Sequence, residues 1–329
     1  AALDAAGPAP SFVGGGQLVD HGTNAAFNDP DRLVLEADEA FGTFLDLHLS
    51  GLVVTNVEPE HLDHYGDEAA MEEAFVEVMR RVDGPVLVCV DDPGAERAME
   101  RAGGISYGTD PDADWHIADV EEGPLDVRFR LRHPDGDLPV RVGRPGLHVA
   151  RDAAGALALL GELGIDLEAA AAGLVDFAGV ARRYQPRGRV GGVTFIDDYA
   201  HHPTEILATM RTVRLGTWNR VWAIFQPHLY SRTQALANEF GQAFVDADEL
   251  VVTDIYGSRE TPVPGVTGKL VADAARARTG AHVRYVPRMG AVPAEIVGEL
   301  EPGDLVVTLG AGDITVLPDE LTRAHAERS

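Results

Sequence analysis

The spacing of apolar residues predicts alternating strands and helices in the first half of the chain. Short continuous apolar runs at 33–37 and 52–56 are typical of parallel strands that are covered on both faces. From Asp67 to Val82 the apolar residues recur on one helix face, and Asp67 is placed to cap that helix. The run at 85–90 predicts another buried strand, and a short helix is expected over 95–101.

Residues 105–142 have a different pattern, because Gly, Pro and Asp interrupt short apolar pieces at 125–131 and 138–142. Such pieces predict a small antiparallel excursion. Two alanine-rich helices are expected next, at 148–163 and 167–177. The first half of the chain is therefore predicted to be an α/β domain with a parallel sheet and an antiparallel addition.

The second half of the chain repeats strand–helix units. Composition changes at 182–188, where we place the boundary between a first domain, 1–180, and a second, 181–329. Apolar runs predict strands at 190–196, 221–225, 249–255, 283–286 and 305–309. Helical segments are expected near 204–213, 233–246, 267–278, 290–300 and 314–325. Strands that alternate with helices in this way predict a parallel, doubly wound, Rossmann-like sheet.

Length and charge narrow the possible functions. The 329 residues suggest two domains, and an apolar fraction of 45% is enough for two cores. Acidic residues outnumber basic ones 53 to 27, which gives a formal charge of −26. Nucleic acids and anionic membranes need a positive surface, so we expect neither as a partner.

Cysteine content and hydropathy indicate the compartment. Cys89 is the single cysteine and lies in a predicted buried strand, so it cannot form an internal disulfide. No apolar run approaches the roughly 20 residues that span a bilayer. We expect a cytoplasmic protein without membrane insertion, whose oligomeric state is open.

The densest group of reactive side chains is the segment 197–206, DDYAHHPTEI. It places two carboxylates, a phenol, two imidazoles and a third carboxylate directly after a predicted strand. Open α/β sheets build their ligand sites at the carboxyl ends of strands. A structural turn would need only one Asp and the Pro, so we interpret the segment as a ligand site. His228 and Arg232 follow the next predicted strand, and we expect the two adjacent strand ends to converge.

A second candidate site combines Glu36, at the end of one predicted strand, with His61, which follows another. If the two strands are neighbours in one parallel sheet, both side chains lie at the same edge and can hold a metal ion that bridges phosphates. Imidazole by itself would favour a transition metal over Mg²⁺. The alternative is a helix cap for Glu36 and a core histidine for His61.

Five motifs resemble those of the Mur ligases and occur in the same order along essentially the whole chain. They are EADE at 36–39, TNVEPEHLDHYG at 55–66, DDYAHHPTE at 197–205, FQPHLYSRT at 225–233 and GAGDI at 310–314. The resemblance implies a ligase that uses ATP to convert a carboxylate to an acyl phosphate, which an amine then attacks. It implies ATP and Mg²⁺ as cofactors, and UDP-N-acetylmuramate and L-alanine as substrates in peptidoglycan synthesis.

The same resemblance assigns roles to individual residues. Glu36 and His61 would hold Mg²⁺ and take part in catalysis, and Arg183 would reach the ATP phosphates when the second domain closes. From the dipeptide alone, Arg182-Arg183 could instead be a solvated charge pair. Residues on the nucleotide side would be His148, Asp152 and Asp198. Residues near the incoming amino acid would be Tyr199, His201, His202, His228 and Arg232.

The chain departs from the family pattern in two places. Residues 146–152, GLHVARD, stand where the family usually has GRHNxxN; His148 matches, but Val149 and Asp152 replace two Asn residues that contact the base. The first residues resemble the end of the helix after the family's phosphate loop, so we expect the UDP-binding domain and that loop to be missing. The only lysine, Lys269, lies in GVTGKL, which lacks the hydroxyl and the preceding strand of a phosphate loop.

Three alternatives remain open. The family member that recycles murein tripeptide usually has DDFAHHPTA, and Tyr199 and Glu205 favour L-alanine addition instead. A metal-dependent phosphohydrolase would need 61–64 and the Asp197–His202 segment to form one metal cage, although they lie in different predicted domains. A non-catalytic, ligase-derived fragment is the third, and we expect the 329 residues to be inactive alone.

Overall fold

The protein is described by a computed structural model of residues 1–59 and 62–328, apart from the side chains of Phe41, Leu62 and Asp63. The chain divides into two compact units, residues 1–178 and the residues from Gly179 onwards. Each unit has sheets and helices around its own hydrophobic core. The predicted α/β class is confirmed.

The first unit combines a large mixed sheet with a small separate one. Its strands are β1 (Ser11–Leu18), β2 (Thr23–Ala26), β3 (Leu33–Leu35), β4 (Leu52–Val54), β5 (Val86–Cys89), β6 (Ile105–Gly108), β7 (Trp115–Glu122), β8 (Val127–His133) and β9 (Gly136–Val142). Its helices are α1 (Ala2–Ala6), α2 (Leu62–Tyr65), α3 (Glu68–Arg81), α4 (Pro93–Ala102), α5 (Leu147–Glu162) and α6 (Leu167–Ala172), with a 3₁₀ segment at Ala40–Asp46.

The large sheet has the strand order β4–β5–β6–β7–β8–β9. Pairing is parallel from β4 to β7 and antiparallel from β7 to β9, so the antiparallel excursion is confirmed. It begins at Trp115 rather than at residue 105, because β6 pairs in parallel with both of its neighbours. Helix α5 packs on this sheet through buried residues that include Ala154 and Leu157.

Local caps determine where helices begin. The Asp67 carboxylate accepts the Ala70 N–H at 2.8 Å, which confirms the predicted cap of α3. Asp92 caps α4 through the Ala95 N–H at 2.8 Å and also accepts the Val57 N–H at 2.9 Å. Because one carboxylate serves both groups, Asp92 joins the start of α4 to the segment that follows β4.

Strand β3 contradicts the expectation for residues 33–37. It pairs with β1 in a separate sheet of order β2–β1–β3, whereas β4 belongs to the large sheet. Leu33 and Val34 are 63% and 47% exposed, so β3 is not covered on both faces. The assumption that Glu36 and His61 follow neighbouring strands of one sheet is therefore wrong, because β3 finds its partner in the glycine-rich strand β1.

The second unit is built on a largely parallel sheet. Its strands are β10 (Gln185–Val190), β11 (Val193–Asp198), β12 (Val221–Phe225), β13 (Glu249–Val252), β14 (His282–Tyr285) and β15 (Leu305–Leu309). Its helices are α7 (Pro203–Val213), α8 (Tyr230–Ala235), α9 (Ala237–Ala243), α10 (Lys269–Arg278), α11 (Val292–Ile296) and α12 (Leu317–Ala326), with 3₁₀ segments at Met289–Ala291 and Asp313–Val316.

The strand order is β10–β11–β15–β12–β13–β14, and every pairing except β10 with β11 is parallel. Helices cover both faces. Ile206 of α7 and Phe240 of α9 pack on one face with Phe225. Ile296 of α11 and Leu321 of α12 pack on the other face with Trp222. The doubly wound prediction is confirmed.

Two predicted segments of this unit are divided in the structure. The predicted strand 190–196 is the second half of a hairpin, because Gly191 and Gly192 adopt φ values of 55° and 81° and reverse the chain between β10 and β11. The predicted helix 233–246 is two helices that meet at Leu236. Among the described residues, no helix is both long enough and apolar enough to span a membrane.

Candidate functional site

The last two residues of β11 are aspartates with different surroundings. Asp197 is fully buried and accepts hydrogen bonds from Thr308 Oγ1 at 2.6 Å and Thr315 Oγ1 at 2.7 Å. The guanidinium groups of Arg182 and Arg187 each lie 3.7 Å from its Oδ2. Asp197 therefore joins the end of β11 to β15 and to the segment after β15, and the two arginines balance its charge.

Asp198 is held by backbone donors. Its Oδ1 accepts the Ala200 N–H and its Oδ2 accepts the Tyr184 N–H, both at 2.7 Å. Burial raises the pKa of Asp198 to about 6, although the two N–H donors and the charge of Arg183 oppose the rise. The carboxylate thus fixes the turn after β11 to the segment before β10, and the ribose contact expected for Asp198 stays a prediction.

Arg182 and Arg183 make different contacts. Arg182 Nη2 donates to the carbonyl oxygens of Gly310 at 2.7 Å and Gly312 at 3.2 Å, so this side chain is packed into the fold. Arg183 is half exposed and its Nη1 lies 3.2 Å from Glu205 Oε1. The pair is not a solvated dipeptide: Arg182 supports the turn after β15, while Arg183 presents its guanidinium beside Glu205.

Glu205 organises the start of α7. Its Oε2 accepts the N–H groups of His201 at 2.9 Å and His202 at 3.0 Å, and it completes a capping box with His202 as the N-cap. Burial acts to raise the pKa of Glu205, but the charges of His201 and Arg183 and the two N–H donors outweigh it and hold the pKa below its usual value. Glu205 is therefore a carboxylate that remains ionised next to His201 and Arg183.

Four of the residues predicted to face the amino acid lie together. The His201 ring contacts the Tyr199 ring edge-on at 5.1 Å between centroids and the His228 ring at 5.6 Å. Arg232 Nη1 lies 3.4 Å from His228 Nδ1, and Tyr256 stacks on His228 at 5.9 Å. His202 lies beside them as the N-cap of α7.

The strand ends that carry this cluster are not adjacent, which corrects the sequence interpretation. β15 lies between β11 and β12, so the turn at 310–313 stands between the two loops. A Cβ on Gly312 would come 2.4 Å from Gln226 Oε1 and 2.6 Å from Cγ of Tyr256. Gln226 Nε2 donates to Asp313 Oδ1 at 2.7 Å. Close packing therefore accounts for the glycine at 312.

Lys269 has no resemblance to a phosphate-loop lysine in its surroundings. It is the first residue of α10, and its Nζ lies 2.5 Å from Asp273 Oδ2, one helical turn further on. The residues before it, from the end of β13, form no strand that leads into the glycines. This geometry agrees with the sequence interpretation that GVTGKL only resembles a phosphate loop and is not one.

In the first unit, Glu36 directly follows β3. Its Oε2 accepts the Gly15 N–H at 2.7 Å, and a Cβ on Gly14 or Gly15 would come within 3.3–3.4 Å of the carboxylate. His61 lies outside the described residues, so its predicted partnership with Glu36 stays a prediction. His148 and Asp152 are exposed and one turn apart on α5, which places them on one face of that helix.

Asp197, Gln226 and Tyr256 were not among the ligase site residues predicted from the sequence. Asp197 and Gln226 lie inside the recognised motifs, and their burial is the signal that separates their structural roles from ligand contact. Tyr256 lies after β13, where a lone Tyr carries no pattern. Its contact with His228 depends on the bridge between residues 228 and 256, which only the fold reveals.

Comparisons with known proteins agree with this architecture. Residues 27–160 match the model of the Mur ligase middle domain, and residues 182–312 match that of the Mur ligase glutamate ligase domain. A protein named UDP-N-acetylmuramate–L-alanine ligase from Myxococcus xanthus (strain DK1622) is 40% identical over 97% of this chain and 69% of its own length. A protein of the same name from Acidothermus cellulolyticus is 44% identical over 96% of this chain and 68% of its own length.

Solved structures share the fold. The UDP-N-acetylmuramate–alanine ligase of Thermotoga maritima superposes with a TM-score of 0.83 at 24% identity, over 100% of this chain and 71% of that one. A murein peptide ligase from Psychrobacter arcticus 273-4 gives a TM-score of 0.69 at 21% identity, over 99% of this chain and 73% of that one.

Proposed function

Because the chain belongs to the Mur ligase family, we propose that it adds L-alanine to UDP-N-acetylmuramate in the ATP-dependent step that begins the peptide of peptidoglycan. The supporting observation is the cluster of Tyr199, His201, His228 and Arg232 at the carboxyl ends of strands in the sheet of the second unit. It occurs in a chain at least 40% identical to proteins named for this reaction. Both substrates are water-soluble, so the proposed location is the cytoplasm.

The side chains of the cluster suit the two charged ends of an amino acid. Arg232 offers a planar fork of donors that binds a carboxylate through two hydrogen bonds, which leaves the amine to react. Arg183 offers the same chemistry to the phosphate oxygens of ATP, and Glu205 holds its guanidinium until a phosphate takes over that contact. The guanidinium groups of Arg182 and Arg183 lie 4.8 and 5.4 Å from the centroid of the Tyr199 ring.

The Glu36 carboxylate of the first unit fits a nucleotide-bound Mg²⁺. Within the described part of the chain no group of three or more His, Cys, Asp or Glu residues is arranged to hold a metal by itself. Mg²⁺ needs only one or two protein ligands when phosphates and water supply the others. Glu36 provides a carboxylate oxygen, and we assign Glu36 and His61 to this role. The ion would neutralise phosphate charge during formation of the acyl phosphate.

We also propose that the 329 residues do not catalyse the reaction alone. They contain no glycine-rich loop ending in Gly-Lys-Thr or Gly-Lys-Ser. Backbone N–H groups of such a loop, together with its lysine, hold the β- and γ-phosphates in other nucleotide-binding enzymes. Without them, the γ-phosphate lacks its main anchors.

The experiment is to measure phosphate release with ATP, Mg²⁺ and UDP-N-acetylmuramate, with and without L-alanine. It would use both the 329-residue chain and the product of the complete reading frame. We expect alanine-dependent release from the complete product only. Arg232→Lys keeps the positive charge but loses the fork, so the KM for L-alanine should rise with little change in the KM for ATP. Preference for a murein tripeptide over L-alanine would identify the recycling ligase instead.

Two results would contradict the proposal directly. Phosphate release that does not depend on any amino acid, with tightly bound Zn²⁺ or Mn²⁺, would indicate a phosphohydrolase. Absence of release from the complete product would leave a ligase-derived protein without this activity.

A further inference from the structure

The surroundings of His201 determine which ring nitrogen carries its proton. Nδ1 lies 3.0 Å from the carbonyl oxygen of Tyr199 and 3.2 Å from Oε2 of Glu205. A carbonyl oxygen and an ionised carboxylate only accept hydrogen bonds. The neutral imidazole therefore carries its proton on Nδ1, and the lone pair that can take up a second proton is on Nε2.

Glu205 is fixed in this position from three sides. Its Oε2 accepts the N–H groups of His201 and His202, and its Oε1 faces Arg183 at 3.2 Å. These contacts keep the carboxylate ionised and prevent it from turning away from the imidazole. A negative charge at this distance stabilises the imidazolium that forms when Nε2 takes up a proton.

Titratable groups from different elements contact His201. Tyr199 comes from the end of β11, Glu205 from α7, and His228 from the loop after β12. Arg232 lies behind His228 at 3.4 Å. The imidazole thus stands among the side chains that we propose to bind the amino acid.

Resting on the proposed function, we propose that His201 is the base that takes a proton from the ammonium group of the incoming amino acid, and that Glu205 is the residue that positions it. An ammonium group has no lone pair and cannot attack an acyl carbon. Transfer of one proton to Nε2 gives the neutral amine and an imidazolium whose Nδ1–H donates to the Tyr199 carbonyl oxygen at 3.0 Å, while the Glu205 carboxylate lies 3.2 Å from the same nitrogen. In hydrolase triads, too, one side chain acts as the base and a carboxylate orients it.

The remaining steps balance without another reactant. The amine lone pair forms the C–N bond to the acyl carbon, and the bond between that carbon and the phosphate oxygen breaks. The second proton of the nitrogen leaves to the departing phosphate, and His201 later returns its proton to water. Of the three ammonium protons, the amide keeps one, the inorganic phosphate carries one and His201 passes one to water.

The first test uses hydroxylamine, which is largely uncharged at neutral pH and attacks acyl phosphates to form hydroxamates without a base. In the product of the complete reading frame, His201→Asn should lower L-alanine ligation by about 10²–10⁴-fold while hydroxamate formation stays near the wild-type rate. Glu205→Gln should lower ligation by about 10²-fold and should also spare hydroxamate formation. The matched control is His282→Asn, since His282 also has its Nδ1 near a glutamate, Glu249, at 2.9 Å but lies at the opposite end of the sheet.

The outcomes separate the two ideas. Wild-type ligation by His201→Asn would overturn the role of His201, and equal loss of both reactions would show a merely structural role. Absence of hydroxamate from the wild-type protein would overturn the proposed acyl-phosphate chemistry, and the inference with it.

A second measurement needs no turnover and can use the 329-residue chain. Long-range ¹H–¹⁵N spectra distinguish the two neutral tautomers of each imidazole, and His201→Asn identifies the signals of residue 201. We expect the Nδ1–H form in the wild-type chain. An Nε2–H form would place the lone pair on the wrong nitrogen and would refute the inference even if the ligase reaction is correct.

Discussion

Replacement of Asp197 by Asn tests whether this buried carboxylate stabilises the sheet of the second unit, where it joins the end of β11 to β15. The substitution preserves the shape of the side chain, removes the negative charge and replaces one acceptor oxygen by an NH₂ donor. In the wild-type protein that charge receives hydrogen bonds from Thr308 and Thr315 and lies beside Arg182 and Arg187. Asn Oδ1 can still accept from one hydroxyl group, but the other hydroxyl must accept from Nδ2 instead of donating, so the loss combines the missing charge with one reversed hydrogen bond.

The magnitude follows from the contacts. A hydrogen bond to a charged group contributes about 1.5–3 kcal/mol and a neutral one about 0.5–1.5 kcal/mol, so two weakened bonds cost about 2 kcal/mol. The two arginine side chains are 23% and 21% exposed, which lets water compensate most of their lost counter-charge. That loss adds about 1 kcal/mol. We expect Asp197→Asn to reduce the free energy of unfolding by about 3 kcal/mol in total.

The assay is urea unfolding followed by tryptophan fluorescence in a Trp115→Phe background. The other two tryptophans, Trp218 and Trp222, both lie in the second unit, so the signal then reports that unit. The matched control is Asp319→Asn, which removes an exposed carboxylate 2.6 Å from Arg187 and should cost less than about 1 kcal/mol. Equal effects of the two substitutions, or an Asp197→Asn variant as stable as the wild type, would refute the reasoning.

Three further predictions concern local features. Gly312→Ala should reduce the free energy of unfolding in urea by about 1–3 kcal/mol, because the added Cβ meets Gln226 and Tyr256. It should also shift the NMR ring resonances of Tyr256 and His228, and unchanged resonances would contradict the packing argument. The carboxyl carbon of Asp198 should titrate near pH 6 by NMR, and a midpoint near 4 would contradict this. Because the pKa of Asp198 is raised on folding, its contribution to the free energy of unfolding is present at low pH and is lost as pH rises through about 6. Asp67→Ala should cost the first unit about 1 kcal/mol, measured through Trp115, and an unchanged midpoint would show that the cap contributes nothing.

Elements with a strong local signal could be predicted from sequence. The strands β12 and β15 have the predicted bounds, because each is a run of five buried residues that are all apolar except Thr308. Helix α3 follows its apolar spacing and its Asp67 cap. In these segments the local pattern and the tertiary environment favour the same structure, so no distant contact is needed to decide between alternatives.

Features that depend on distant pairing could not be predicted. β1 contains Gly14-Gly15-Gly16 and lacks the apolar run of a strand, so the sheet that captures β3 has no signature in sequence. The position of β15 between β11 and β12 depends on pairings such as Thr308 with Asp197, which are 111 residues apart. At the site, residue types in the sequence indicated His201 and Arg232. The ion pairs of Glu205 with His201 and Arg183 depend on how the β10–β11 hairpin and the start of α7 place these residues.

The place of β15 in the sheet has a consequence during protein synthesis. β15 is translated after the other strands of its sheet, yet it occupies the gap between β11 and β12. While a ribosome is still adding residues before 305, both of those strands present unpaired backbone groups towards the empty position. The first unit can fold as soon as it emerges, whereas the second must wait for its last strand. A nascent chain stalled before Leu305 should therefore be a substrate for chaperones that shield open strand edges.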